Sequence, residues 1–148
     1  MMPALHHLIY QSKAVTPLSS AELKRLLNQS RRHNEAADIT GMLLYDGSRF
    51  LQVLEGPSEA VSAVFARIRQ DCRHTEVLVL ADGPVAQRQF ERWQMGLVTF
   101  IDCPNVAFDD LQPTMLTITD AALCMLLSDF QRYANHMRHN QLAVAPRP

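Results

Sequence analysis

The chain has no long hydrophobic run. Its longest apolar stretches fall far short of the roughly 20 residues that a membrane-spanning helix needs. The first residues, MMPALHHLIYQ, lack a basic segment followed by an apolar run, which predicts no signal peptide. Cysteine is scarce: Cys72, Cys103 and Cys124 are odd in number and far apart. They make no CxxC pair and no zinc spacing, so free thiols in a reducing cytoplasm are expected. Charge of one sign is also lacking. A formal net charge of −1 gives no basic surface for nucleic acid or an acidic membrane. There is no Gly-x-Gly-x-x-Gly phosphate loop, so a dinucleotide would not be held in Rossmann fashion. His6-His7 has no Ser or Cys placed beside it for nucleophilic work, and His136-x-x-His139 has no third metal ligand in view.

What is present reads as one soluble globular domain with a small extension. The chain has 148 residues, and its 47% hydrophobic and 20% charged content suffices for one core. Residues 5–12 read as a strand. Ser19-x-x-Glu22 is a capping box opening a helix whose stripe runs Leu23, Leu26, Leu27, Ser30, Asn34. Its inward face therefore turns polar in the second half. Residues 38–45 form a strand, Asp46-Gly47 a tight turn, and residues 49–55 the returning partner. Gly56-Pro57 opens a second helix, with Pro57 suited to the first helical position and a stripe of Val61, Val64, Phe65, Ile68 and Cys72. Arg67 and Asp71, four apart, are spaced to pair.

The run 76–81, EVLVLA, predicts a strand buried on both faces, ended by Asp82-Gly83-Pro84. A helical turn near Arg88–Arg92 and a strand at 93–100 follow, with Trp93, Met95 and Leu97 on one face. After an Asp- and Pro-rich loop at 101–113, residues 118–138 are helical. Leu123, Leu126, Leu127, Phe130, Ala134 and Met137 share one side of that helix. That side must be buried on the uncovered face of the sheet, on another subunit, or on both. The order predicts an α+β fold: a ferredoxin-like βαββαβ sandwich with an extra strand, two helices over one sheet face, and C-terminal helices.

Two residues break the core pattern. Tyr10 ends the apolar Leu8-Ile9-Tyr10, and Gln52 lies between Phe50 and Leu54 on one strand face. A buried amide needs partners at both ends, from the protein or from a ligand. With Ser30 and Asn34 across from them, a ligand between the two helices, above the sheet, is expected. Singly, each residue has an ordinary reading: a satisfied core tyrosine or amide, an Asn helix cap, Trp or Met packing. Arg31-Arg32 sits at a helix end, where cations suit the dipole.

The stretches LIYQSKA at 8–14, ELKRLLNQSRRHN at 22–34, ITGMLLYDGSRFLQVLEG at 39–56, RIRQDCRH at 67–74 and RQFERWQM at 88–95 together resemble the BLUF family, blue-light sensors using FAD. The resemblance covers residues 5 to about 100, in the family's order. It implies that Tyr10 and Gln52 form the photochemical pair. Tyr10 would donate an electron and then a proton, and Gln52 would bridge the tyrosine and the flavin. It implies FAD contacts at Ser12, Leu26, Ser30, His33, Asn34, Phe50, Leu54, Arg67, Ile68, Asp71 and His74, and a signal relay through Trp93 and Met95. The implied organisation is a photosensory domain at 1–100, a helical extension at 101–140 and a flexible tail at 141–148. The implied role is a cytoplasmic receptor without substrate turnover, a homo-oligomer acting on an unidentified effector protein, with no nucleic-acid or membrane partner.

The rival readings are a non-photic flavin-binding protein or a ferredoxin-like protein-interaction module. A ferredoxin-like phosphatase would need a phosphate-cradling loop beside an arginine. A flavin reductase would need a nicotinamide site, and an RNA module would need sheet-face aromatics and a basic patch. None of these is visible in the residues.

Overall fold

A computed structural model of the chain describes residues 4–91, 95–100 and 115–143, with side chains through Met137. The elements are β1 (Leu5–Ala14), α1 (Ser20–Ala36), β2 (Thr40–Tyr45), β3 (Arg49–Pro57), α2 (Ser58–Arg69), β4 (His74–Pro84), β5 (Gly96–Thr99) and α3 (Ala121–Ala143). The sheet order is β4-β1-β3-β2-β5. Its first four strands pair antiparallel in the split-βαβ order, and β5 adds parallel to β2. The ferredoxin-like α+β fold with one extra strand is the architecture the sequence predicts.

Local chemistry sets the element ends. Ser19 and Glu22 close the expected capping box on α1, with the Ser19 hydroxyl accepting from the Glu22 amide at 3.1 Å and a Glu22 oxygen accepting from the Ser19 amide at 3.1 Å. These bonds hold the Glu22 carboxyl below the usual carboxylate range. The β2–β3 loop is Asp46-Gly47-Ser48; Gly47 takes φ 92°, and Asp46 Oδ1 accepts from the Ser48 amide at 3.0 Å and the Arg49 amide at 2.6 Å. At Gly41 a Cβ would lie 1.9 Å from the Val53 carbonyl oxygen, so only glycine lets β2 and β3 close there. Pro57 is the cap of α2 rather than its first turn, because β3 keeps it extended at ψ 137°.

Strand alternation sorts the side chains into two cores. On one face Leu8, Tyr10, Leu43, Tyr45, Phe50 and Leu54 meet Leu23 and Leu27 of α1 and Val61, Val64 and Phe65 of α2. On the other, Ile9, Met42, Leu44, Leu51, Val53, Val98 and Phe100 meet Leu123, Leu127, Phe130 and Ala134 of α3. The apolar side of the C-terminal helix is therefore buried on the previously uncovered sheet face, while Met137 stays 40% exposed. Among the described residues no helix is long and apolar enough to cross a membrane.

Several expectations are corrected. β4 is an edge strand, and Leu78 is 61% exposed. A continuous apolar run cannot distinguish a doubly covered strand from one at a sheet's margin. β4 also continues through Asp82-Gly83-Pro84, because pairing with β1 as far as His6↔Pro84 outweighs the local turn signal. No helical turn forms at 88–91; that stretch is held by bonds to β3 instead. Cys72 lies exposed beyond the end of α2. α3 starts at Ala121 and continues through Ala143. Trp93 and the 101–113 loop lie outside the described residues.

Candidate functional site

Tyr10 and Gln52 are opposite each other on β1 and β3, and Gln52 is opposite Leu43 on β2, which is opposite Leu97 on β5. This row points at the α1–α2 side. Tyr10 and Gln52 are 3% and 4% exposed, and the Tyr10 hydroxyl donates to Gln52 Oε1. Burial, and behind it the Asp71 charge, pushes the Tyr10 phenol far above the usual tyrosine range. Tyr10 is therefore a neutral donor at any working pH. At the other end of the amide, Gln52 Nε2 donates to Met95 Sδ at 3.3 Å. A thioether is a weak acceptor, so this end of Gln52 is held loosely beside the strong contact to Tyr10. Met95 is buried, and its carbonyl accepts from Arg31 Nε at 2.9 Å.

A cleft opens above this row between α1 and α2. Its inner part, with about 410 Å³ of empty space, is lined by Tyr10, Leu26, Ser30, Leu43, Phe50, Gln52, Ile68, Asp71, Arg73 and His74. The outer part, about 580 Å³, adds Gln29, His33, Asn34, Val64 and Arg67 while sharing Leu26, Ser30, Gln52, Ile68, Asp71 and Arg73. Small-molecule sites have this make-up, apolar walls with a few polar groups.

The structure brings together most of the residues singled out in the sequence. Leu26, Ser30, His33, Asn34, Phe50, Gln52, Arg67, Ile68, Asp71 and His74 all line the cleft. Ser12 does not line it, but supports it: Ser12 Oγ and His74 Nδ1 are 2.8 Å apart, and His74 Nε2 donates to the Ile68 carbonyl at 2.6 Å. The His74 ring stands edge-on to Tyr10 and Phe50, at 6.0 and 6.4 Å between centroids. Leu54 faces the same side but packs in the core, outside the cleft lining.

Arg67 and Asp71 do not pair. α2 stops at Arg69, so Asp71 leaves the helical row in which an i,i+4 pair would form. Asp71 instead takes Arg73 Nε at 2.9 Å and Arg73 Nη2 at 2.5 Å, and Arg67 Nη1 reaches His33 Nδ1 at 3.3 Å. The Arg73 hydrogen bonds hold the Asp71 carboxyl below the usual carboxylate range and raise the Arg73 guanidinium in turn. Sequence reading missed Arg73, Leu43 and Gln29, and read Val64 only as core. Leu43 was within reach of strand parity, since it shares a face with Tyr45. Arg73 depended on knowing where α2 ends.

The cleft suits a flat heteroaromatic ring. Leu26, Leu43, Phe50 and Ile68 offer apolar surface to its faces, and Gln52, Ser30, Asn34 and the Asp71–Arg73 pair offer hydrogen bonds to its edge. The weakly held Nε2 of Gln52 would gain a better acceptor from such an edge.

Comparisons with known proteins agree with that chemistry. Residues 5–96 match the family model described as BLUF, sensors of blue-light using FAD. The chain is 39% identical over 93 residues to photoactivated adenylate cyclase subunit beta of Euglena longa, covering 62% of this chain and 11% of that protein. It thus spans about a tenth of that relative's length. The dark-state structure of BlrB, a BLUF protein, superposes with a TM-score of 0.62 at 36% identity, covering 67% of this chain and 75% of that one. Klebsiella pneumoniae BlrP1 with FMN and cyclic diGMP gives a TM-score of 0.71 at 31% identity, covering 85% of this chain and 34% of that one.

Proposed function

Because the chain belongs to the BLUF family of blue-light sensors that use FAD, we propose that Tyr10 and Gln52 are its photochemical pair and that it signals without turning over a substrate. The observation that carries this reading is the buried Tyr10–Gln52–Met95 chain at the floor of the cleft. When bound, the flavin supplies blue-light absorption and one-electron chemistry. Leu26, Phe50 and Ile68 would hold its ring faces, and Ser30, His33, Asn34 and Asp71 would offer it polar contacts. Arg67, in the outer part of the cleft, and His74, in the inner part, would complete the contacts to the cofactor. Ser12 and Leu54 act from behind, through His74 and through packing.

Tyr10 starts neutral with its proton on Oη, hydrogen-bonded to Gln52. With bound flavin as the acceptor, Tyr10 would give up an electron and that proton and then take both back, which leaves no net oxidation. In between, the Gln52 amide loses its acceptor relationship to a neutral phenol. It rotates or tautomerises, exchanging the Met95 contact for a different one. Buried networks of this kind are stiff when satisfied, so turning one amide reorganises its partners. Trp93 and Met95 carry the change outward.

The organisation that follows is a sensory domain at 1–100 and a helical extension whose α3 runs on to Ala143, past the expected end at 140. The receptor works in the cytoplasm, where Cys72 and Cys124 stay as free thiols. It acts as a homo-oligomer on an effector protein. The test is optical. The purified chain should be yellow, and blue light should shift its flavin absorption reversibly to the red, with slow recovery in the dark. A chain that cannot be loaded with flavin, or whose loaded form shows no shift, overturns the reading.

A further inference from the structure

β4 carries one residue too many for the stretch of β1 it faces. Gln11 is opposite Leu78 and Lys13 is opposite Thr75, so Ser12 alone faces both Glu76 and Val77. This is a β-bulge, and Glu76 takes φ 52° to make it. Glycine fills that left-handed region readily, whereas other residues seldom do. The glutamate side chain does not explain the bulge. Its carboxylate reaches Lys13 Nζ at 3.0 Å, but the two side chains are 62% and 63% exposed, and water screens the pair. Protecting the free edge of the sheet is not a sufficient reason either. Bulges do blunt such edges, but β4 already has a second one at Leu80, between Val79 opposite Tyr10 and Ala81 opposite Ile9.

The consequence of the bulge falls on His74. Side chains alternate along a strand, so residues three apart belong on opposite faces. Val77 packs against the core under α1 and α2, yet His74, three residues earlier, lines the cleft on that same side. The extra residue at Glu76 is what allows both. Paired without it, Thr75 would stand opposite Ala14, and His74 would turn to the α3 side. From there it could not reach Ser12 Oγ, now at 2.8 Å, or the Ile68 carbonyl, now at 2.6 Å, and its ring could not stand edge-on to Tyr10. Nε2 donates to that carbonyl, which leaves Nδ1 as the acceptor for the Ser12 hydroxyl. Both ring nitrogens are thus fixed once the bulge has turned the side chain inward. We infer that the left-handed backbone of Glu76 aims His74 at Tyr10, which makes Glu76 a positioning residue of the light-sensing site. It acts through His74, and by its backbone rather than its charge. With His74 in place, the Tyr10 ring is braced between that imidazole and Phe65, whose centroid lies 5.5 Å away. The effect on the light response rests on the photosensor reading above; the effect on the place of His74 does not.

The test compares Glu76→Gly and Glu76→Asn, which accept the left-handed backbone, with Glu76→Val, which resists it. The first readout is NMR of the full flavin-loaded chain in the dark, following magnetisation transfer between the His74 and Tyr10 rings and the nitrogen shifts of the His74 imidazole. Wild type, Glu76→Gly and Glu76→Asn should show the ring contact and an imidazole protonated at Nε2. Glu76→Val should lose the contact. The second readout is dark recovery after blue light. Glu76→Gly and Glu76→Asn should recover at the wild-type rate. Glu76→Val should recover several-fold faster, as His74→Ala should, because an unbraced Tyr10 ring rearranges more readily. If Glu76→Val does not fold, Glu76→Ala strains the same backbone less and should weaken the contact and speed recovery in the same direction. A Glu76→Val or Glu76→Ala chain with the ring contact and recovery rate of wild type overturns the inference. So does a Glu76→Gly chain that behaves like His74→Ala, since the carboxylate would then be the active part. A wild type with the ring contact but no red shift sinks the photosensor reading instead, and the ring contact in the variants still decides the role of Glu76.

Discussion

The two faces of the sheet are built from the same strands and do opposite things. β3 sends Phe50, Gln52 and Leu54 to one side and Leu51, Val53 and Glu55 to the other. The α1–α2 side keeps Ser12, Asn34 and Gln52 buried among its hydrocarbon and stops short of filling the space above them. The α3 side is close-packed hydrocarbon, with Glu55 at its margin and fully hydrogen-bonded. Burying a polar group costs free energy unless it is bonded, so polar residues over an open cleft are retained for what they bind. A filled face serves stability. A face left open around satisfied polar groups serves recognition.

Substitutions can break that contrast, and the largest effect falls on the open face. Tyr10→Phe should abolish the light-induced red shift while leaving flavin bound, and Gln52→Leu should do the same; difference spectra before and after blue light decide it. A shift of wild-type size in either variant would detach the pair from the photochemistry. On the filled face the expected loss is of stability. Leu127→Ala, at a fully buried site, should destabilise the chain by about 2–5 kcal/mol in denaturant melts. The protein that remains folded should keep its red shift.

A smaller effect is expected at the rim of the filled face. The Arg49 guanidinium lies 4.2 Å from the Phe130 ring and 4.0 Å from the Tyr133 ring, and its Nε bonds Asp46 at 2.9 Å. Arg49→Ala should cost about 1–2 kcal/mol and loosen α3 equally in light and dark. A light-dependent effect of Arg49→Ala on exchange in α3 would show that this rim does more than hold the helix in place.

The smallest expected effect is a slope with pH at the cleft. Asp71 has its folded pKa depressed by Arg73, so its contribution is present above the ordinary carboxylate value and is lost as pH falls through the depressed one. From about pH 4 downward, wild-type Tm should therefore fall more steeply than that of Asp71→Asn. Parallel curves would show that the pair does not hold the cleft wall.

Strand parity, the Ser19–Glu22 box and the Asp46-Gly47-Ser48 turn act within a few residues, so the chain's own order already specified them. Strand parity set Tyr10 and Gln52 on one inward face, and the helical stripe of α1 set Ser30 and Asn34 across from them, so the cleft floor was legible in the sequence. Distant pairings were decided only by the folded chain. EVLVLA reads as a doubly buried strand, yet β4 sits at the sheet margin, because the order of strands is set by which faces the helices can cover. Asp71 took Arg73 instead of Arg67 because α2 ends at Arg69. Glu55 accepts from the Gln89 amide and Gln89 from the Thr119 amide, partners 34 and 30 positions apart in the sequence. Local periodicity records which side of an element is apolar. It holds no record of what that side will meet, since that depends on where every other element comes to rest.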